Sequence, residues 1–136
     1  MFHLIKILNA RTGTPEPMRI PLSTPATVEY GTPVLIKGGT LAKCDAAATA
    51  LPTHLILADA VNESEVLASP ISPEMVFEVP ASALPTAMTV GSEYLLGADS
   101  KSVSATAVSS GKRGATLLSK AGATHVGDNL LVAFRN

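Results

Sequence analysis

Two adjacent glycines set between apolar runs constrain this chain more than any other feature. Val34-Leu35-Ile36 leads into Lys37-Gly38-Gly39-Thr40, and residues 41–44 leave it. Both central residues of a type I′ turn need positive φ, which glycine adopts at little cost. Residues 28–60 therefore predict a tight antiparallel hairpin, followed by a further apolar strand at His54-Leu55-Ile56-Leu57-Ala58. No stretch of ten or more positions carries 3.6-residue periodicity. The expected class is mainly β: a small antiparallel β-barrel or β-sandwich with an extended Pro-rich N-terminal arm and little helix.

Proline placement suggests the domain organisation. All ten prolines lie at or before Pro85, and Pro15, Pro17, Pro21 and Pro25 space out the first 25 residues. Such spacing permits only extended or polyproline-like paths. Residues 1–25 are expected to form an arm and residues 26–136 a single β-rich domain. Residues 2–8 read as a strand that belongs either to the arm or to the domain, and a short strand is expected at residues 18–22. Residues 46–50 suit at most one helical turn, and residues 59–65 read as a polar turn. Further strands are expected at residues 65–67, 75–79, 93–96, 102–107, 114–119 and 130–135.

One internal echo supports this reading. Gly31-Thr-Pro-Val34, Gly91-Ser-Glu-Tyr94 and Gly127-Asp-Asn-Leu130 each give a glycine, a small hydroxyl or carboxyl residue, one spacer and an apolar strand. Glycine suits the tight turn and the oxygen suits a cap. The separations, 60 and 36 residues, are unequal. The echo therefore reads as a recurring way of opening strands rather than as a repeat protein.

Composition bears on function. The hydrophobic fraction is 46%, but aromatics supply only 4% and there is no Trp. Charged residues make up 15%, against the roughly 25% usual for soluble domains. A lightly charged exterior suits a protein covered by other chains. The net charge of −1 gives no field to attract nucleic acid or an anionic membrane. Between Lys43 and Lys101 there are eight acidic residues and no Lys or Arg, while the N-terminal and C-terminal parts are mildly basic. That split is complementary either within the fold or between subunits. Nothing in the chain reads as a signal peptide or a membrane span.

A search for chemistry finds little. Cys44, His54 and Asp59 lack the sharp turn and oxyanion loop of a nucleophile site and read as core and turn residues. His3, His54 and His125 lack zinc spacing. Asp59, Asn62, Glu63 and Glu65 lack the sharp-turn glycine of a helix–loop–helix calcium site. Gly38-Gly39-Thr40 is too short for a phosphate loop, and Lys112-Arg113 reads as solvated. No catalytic residue, cofactor or metal is expected, and the chain is not expected to be an enzyme.

Two stretches do carry a resemblance. YGTPVLIKGGTLAKCDAAATALPTHLILADAV (residues 30–61) resembles the opening of small capsid decoration, or cement, proteins of tailed phages, the group that includes the lambda head decoration protein. VGSEYLLGADSKSVSATAVSSGKRGATLLSKAGATHVGDNLLVAFRN (residues 90–136) resembles the C-terminal pattern of related small phage head proteins. Gly31, Gly38, Gly91, Tyr94 and Gly114 carry most of it, and Arg113-Gly114 stands where an Ile/Val-Gly is usual. The resemblance implies a β-rich, commonly trimeric virion protein. It would be made in the host cytoplasm and seated on the outer capsid surface, where it would bridge and stabilise major capsid subunits.

The implied partners are the major capsid protein and itself, with no nucleic acid and no membrane. Phe2, Leu4, Ile5, Ile7, Met18, Arg19 and Ile20 are the expected contact residues. The alternatives are another virion β-protein, such as a head–tail or baseplate component, or a small β-barrel module for a carbohydrate or peptide. The few aromatics, Phe2, Tyr30, Phe77, Tyr94 and Phe134, supply such a groove poorly.

Overall fold

A computed structural model describes residues 1–7 and 17–135. The chain is mainly β, with eleven strands among the described residues: β1 (His3–Ile7), β2 (Met18–Val28), β3 (Pro33–Lys37), β4 (Thr40–Lys43), β5 (His54–Ile56), β6 (Ala60–Pro70), β7 (Met75–Pro80), β8 (Glu93–Leu96), β9 (Val103–Ala107), β10 (Ala115–Ser119) and β11 (Asn129–Ala133). A 3-10 turn at Pro85–Ala87 is the only helical element described. The hairpin forms as expected. Lys37 pairs with Thr40, and Gly38 and Gly39 take φ values of 59° and 77°.

The strands divide into two antiparallel sheets. One runs β2-β6-β5-β3-β4 and the other β1-β7-β11-β10-β8-β9. With β1 set aside, both follow a single order: first strand, fifth, fourth, second, third. Both also curl until their ends meet. In the first lobe, the Ser23 amide and hydroxyl donate to the Gly39 carbonyl at 2.9 and 3.2 Å. In the second, the Ser82 amide and hydroxyl donate to the Val103 carbonyl at 2.8 and 3.3 Å, beside an Ala81–Val103 bridge.

The likeness reaches single peptide groups. Gly31 donates to Ile56 O and receives, one residue on, a bond from Ile56 N–H to Thr32 O; Gly91, Leu117 and Ser92 repeat this arrangement. Cys44 N–H donates to Pro33 O as Val108 N–H donates to Glu93 O. Gly31 and Gly91 have φ of 77° and 94°. The chain is thus a five-stranded unit built twice, and the 60-residue separation of these glycines is its repeat. This corrects the expectation of a strand-opening device alone. Gly127 (φ 93°) shares the backbone geometry but opens the fifth strand of the second unit.

Each lobe has its own core. Leu22, Val28, Val34, Ile56, Val66 and Ala68 fill the first, all aliphatic. The second is larger and is centred on three rings: Phe2, Phe77 and Phe134 lie with centroids 5.4–6.4 Å apart. The lobes share β5. Ile56 points into the first core while its neighbour Leu55, together with Cys44, packs into the second. A strand buried on both faces has no polar side, which explains why Leu55 and Ile56 are both apolar. Backbone bonds from Phe2 N–H to Gly31 O (3.0 Å) and from Arg113 N–H to Ala48 O (2.9 Å) also cross the junction.

Three expectations change. The described parts of residues 1–25 are strands of the fold rather than a separate arm. β1 pairs with β7, Phe2 is fully buried, and β2 runs across the expected boundary at residue 25 while paired with β6. Pro21 and Pro25 are tolerated there because β2 ends its sheet, where a missing N–H removes no ladder bond on the unpaired side. Leu8 and Pro15 fall outside the described residues. Residues 60–65, read as a polar turn, begin the eleven-residue β6. They look turn-like because the side chains of residues 61–65 are exposed, yet their backbone pairs with β2. Residues 46–50 form a turn, with Asp45 accepting the Ala47 N–H at 2.8 Å, and no helix.

Candidate interaction surface

The seven expected contact residues separate by direction. Phe2 is fully buried, Leu4 and Ile7 pack against the second core, and Ile20 packs against the first. Ile5 and Met18 are exposed, with 43% and 47% of their surface open to solvent. The Arg19 side chain is 70% exposed and lies 3.8 Å from Glu65. Of the seven, Ile5, Met18 and Arg19 thus offer the most surface to another molecule. Alternation turns Arg19 away from the first core, because neighbours point to opposite faces. Met18 shares the face of Ile20 and Leu22 but is left exposed at the start of β2. At β1 a register shift between Leu4 and Lys6 leaves Ile5 outside the ladder.

These exposed residues lie on sheet edges. β1 and β2 each end their sheet. An open edge presents peptide groups to any passing strand, so folds usually protect it with charge, bulges or cover. β1 has its register shift, and β2 has Pro21 and Pro25. Both nevertheless carry an exposed apolar side chain beside the edge. Among the other exposed apolar residues, Val61 lies on β6, and Leu84, Val90 and Val126 sit on turns at the end of the second sheet where β7 stops and β8 and β11 begin.

Charge complementarity is found within the chain. Arg19 meets Glu65, Lys101 bonds Glu29 across the lobe junction, and Arg113 grips Glu93. Arg113 was expected to be solvated. Instead its Nε donates to Glu93 Oε2 at 3.0 Å and its Nη2 to the Arg135 carbonyl at 2.6 Å, with both ion-pair side chains half-buried or less exposed. Glu93 Oε2 also accepts the Gly114 N–H at 2.7 Å. The Arg-Gly that stands in place of the usual apolar-Gly thus supplies an ion pair at the start of β10.

The residues weighed for catalysis are held apart or otherwise occupied. Cys44 and His54 belong to opposite faces of the first sheet, since Cys44 shares a core with Leu55 and not with Ile56. Burial, with Asp45 adding to it, pushes the Cys44 thiol up to about 11, so it stays protonated and unreactive near neutrality. Burial lowers the His54 pKa, and its Nδ1 lies 2.8 Å from the Thr53 hydroxyl. Asp59 accepts the Tyr30 N–H at 2.7 Å. Asp59, Glu63 and Glu65 do line one shallow groove, and Arg19 lines it with them. Among the described residues, no group of three or more His, Cys, Asp or Glu could hold a metal ion. No described helix is long and apolar enough to cross a membrane.

Two carboxylates serve the turns. Burial works against the Asp99 carboxylate, but donation from Lys101 N–H and Ser102 Oγ, each at 2.9 Å, holds its pKa below the usual range. Asp128 is lowered by the Thr124 and His125 amides, which donate to Oδ2 at 3.0 and 2.9 Å. Sequence reasoning named Asp128 only as part of a strand-opening echo, and the cap was the signal within it. The open β2 edge lay hidden inside the expected arm.

Compared with protein-family models and with curated proteins, the chain matches none.

Proposed function

We propose that this protein is a structural virion component that binds the outer surface of a tailed-phage capsid and stabilises the lattice by bridging major capsid subunits. The observation that carries the reading is the pair of sheet-ending strands, β1 and β2, each bearing an exposed apolar residue, Ile5 and Met18. Such edges suit strand addition, in which backbone hydrogen bonds supply affinity and alternate side chains supply register. The low charge content and the resemblance of residues 30–61 and 90–136 to phage decoration proteins point the same way. The working form is a homotrimer, with no catalytic step and no cofactor.

The mechanism is linkage. A protein that binds the assembled shell, and not the free capsid subunits, stabilises the shell by mass action. A rigid binder loses little entropy on docking, and a double barrel with two packed cores is such a platform. Ile5, Met18 and Arg19 make the contacts, and the inward-facing Phe2, Leu4, Ile7 and Ile20 hold the edges in place. The test is to mix the purified protein with tailed-phage capsids assembled without their accessory head protein. Saturable, stoichiometric binding and a raised shell melting temperature are expected. Absence of binding at micromolar concentration would overturn the reading.

A further inference from the structure

The two lobes are built alike strand for strand, but only one has a sixth strand. In the second lobe β1 lies along the outer edge of β7, with Leu4 opposite Phe77 and His3 opposite Glu78. The pairing ladders locate the equivalent positions in the first lobe. Met18 faces Ala68 as Phe77 faces Val132, and Ala68 and Val132 are matched through their partners Ile56 and Leu117. Met18 thus corresponds to Phe77, Arg19 to Glu78 and Ile20 to Val79. Pro21 then falls on Pro80 and Ser23 on Ser82, the residues that precede and make the two closing contacts.

Equivalent positions should be equally buried, and here they are not. Phe77 is 1% exposed because Phe2 and β1 cover it, whereas Met18 is 47% exposed. No described strand lies on the outer side of β2 next to Met18. From this contrast we infer that the β2 edge at Met18, Arg19 and Ile20 is a strand-addition site for an extended segment of another protein.

The geometry of the occupied lobe states what that segment looks like. It runs antiparallel to β2, sets an apolar residue opposite Met18 as Leu4 is set opposite Phe77, and carries a bulky apolar residue two positions earlier, as Phe2 does. Its charge differs from that of β1. His3 meets an acid, Glu78, while the equivalent position in β2 is Arg19. Residues opposite each other in an antiparallel ladder share a face, where opposite charges attract and like charges repel. The incoming segment therefore carries an acid at that position, and the exposed Arg19 guanidinium exchanges its long contact with Glu65 for it. That the segment belongs to a capsid subunit rests on the function proposed above; the strand-addition site itself does not.

The test uses the full chain, labelled for amide NMR, and two synthetic peptides. One copies residues 1–7 (MFHLIKI), and the other carries the substitution His3→Glu. Both should bind saturably, with shifts concentrated at residues 18–20. The His3→Glu peptide should bind about two- to fivefold tighter. Met18→Glu in the protein, checked for native circular dichroism, and Phe2→Ala in the peptide should each weaken binding by a similar factor.

Shifts at residues 75–78, meaning displacement of β1, would overturn the inference, as would non-saturable binding or equal affinity of the two peptides. So would concentration-dependent dimerisation abolished by Met18→Glu, which would assign the edge to a second copy. Failure of this inference and failure of the capsid reading remain distinguishable. Peptide binding without capsid binding leaves the edge and removes the capsid. Capsid binding unchanged by Met18→Glu does the reverse.

Discussion

The two lobes share an order of strands, a closing serine and a glycine-led turn, yet one is capped and the other is open. The second lobe takes in β1 and buries three phenylalanines; the first has only aliphatic residues and ends at an exposed Met18. The comparison teaches that the backbone pattern does not depend on core size. The seven buried residues of the small core sustain the same closure as the seventeen of the large one. What β1 adds is cover for an edge and a mouth, and the first lobe shows what the unit looks like without it.

The largest expected effect separates the lobes at one equivalent position. Phe77→Ala should cost about 3–5 kcal/mol, because it empties the centre of the ring cluster. Met18→Ala should stay within about 1 kcal/mol, since its side chain is half in solvent. Denaturant unfolding measures both, and equal costs would break the comparison. Where the lobes are alike, the costs should be alike. Ile56→Ala and Leu117→Ala remove buried aliphatics at matched positions, and each should cost about 2–5 kcal/mol.

Smaller effects sharpen the picture at the junction and the closures. Glu93→Gln weakens a half-buried ion pair and one acceptor of the Gly114 amide, and it should cost about 1 kcal/mol with little dependence on salt. Ser23→Ala and Ser82→Ala each remove one hydroxyl bond from a closure that keeps its amide bond. Each should cost about 0.5–1 kcal/mol, the two being equal within error.

Acidity should act in a set order. Burial lowers the His54 pKa, so below pH about 6.5 the unfolded chain takes up that proton first and stability falls. The Asp99 and Asp128 carboxylates are lowered, so their contribution is intact above pH about 4 and is lost only below it. Unfolding midpoints across pH 3–8 check the sequence of events. Cys44, raised to about 11, should resist iodoacetamide at pH 8 in the native protein and react after unfolding.

Much of the second lobe was legible in the sequence. Residues 93–96, 102–107 and 114–119 correspond to β8, β9 and β10 within one residue, because strands there are short, separated by Gly, Ser and Asp, and free of proline. The hairpin was legible for the reason that made it informative: two glycines leave few alternatives. β2 and β6 were legible only in part. The short strands expected at residues 18–22 and 65–67 lie within them, but the prolines and exposed acids of the rest resemble linker and turn, and their ladder shows them to be strands.

The repeat was hidden by length rather than by chemistry. Ile20-Pro21-Leu22-Ser23 and Val79-Pro80-Ala81-Ser82 correspond, as do Gly31-Thr32 and Gly91-Ser92. An extra residue between them and the longer connection at residues 97–102, where the first lobe has only Gly38-Gly39, shift the register along the chain. Hydrogen bonding restores in space what the insertions obscure in sequence. Which way the seven expected contact residues face was not legible: Phe2 is buried, Leu4, Ile7 and Ile20 pack against the cores, and Ile5, Met18 and Arg19 are exposed.

The most direct measurement is native-state hydrogen exchange compared along two matched edges. β7 pairs with β1 at residues 75–78 and with β11 at residues 77–80, so residues 77 and 78 are bonded on both sides, while β2 at the matched residues 18 and 19 is bonded only on the β6 side. The account predicts protection at consecutive amides of β7 and, in β2, fast exchange at the amides that point away from β6. Uniform protection across residues 18–20, equal to that of β7 in the isolated protein, would mean that the edge is already covered and would contradict it.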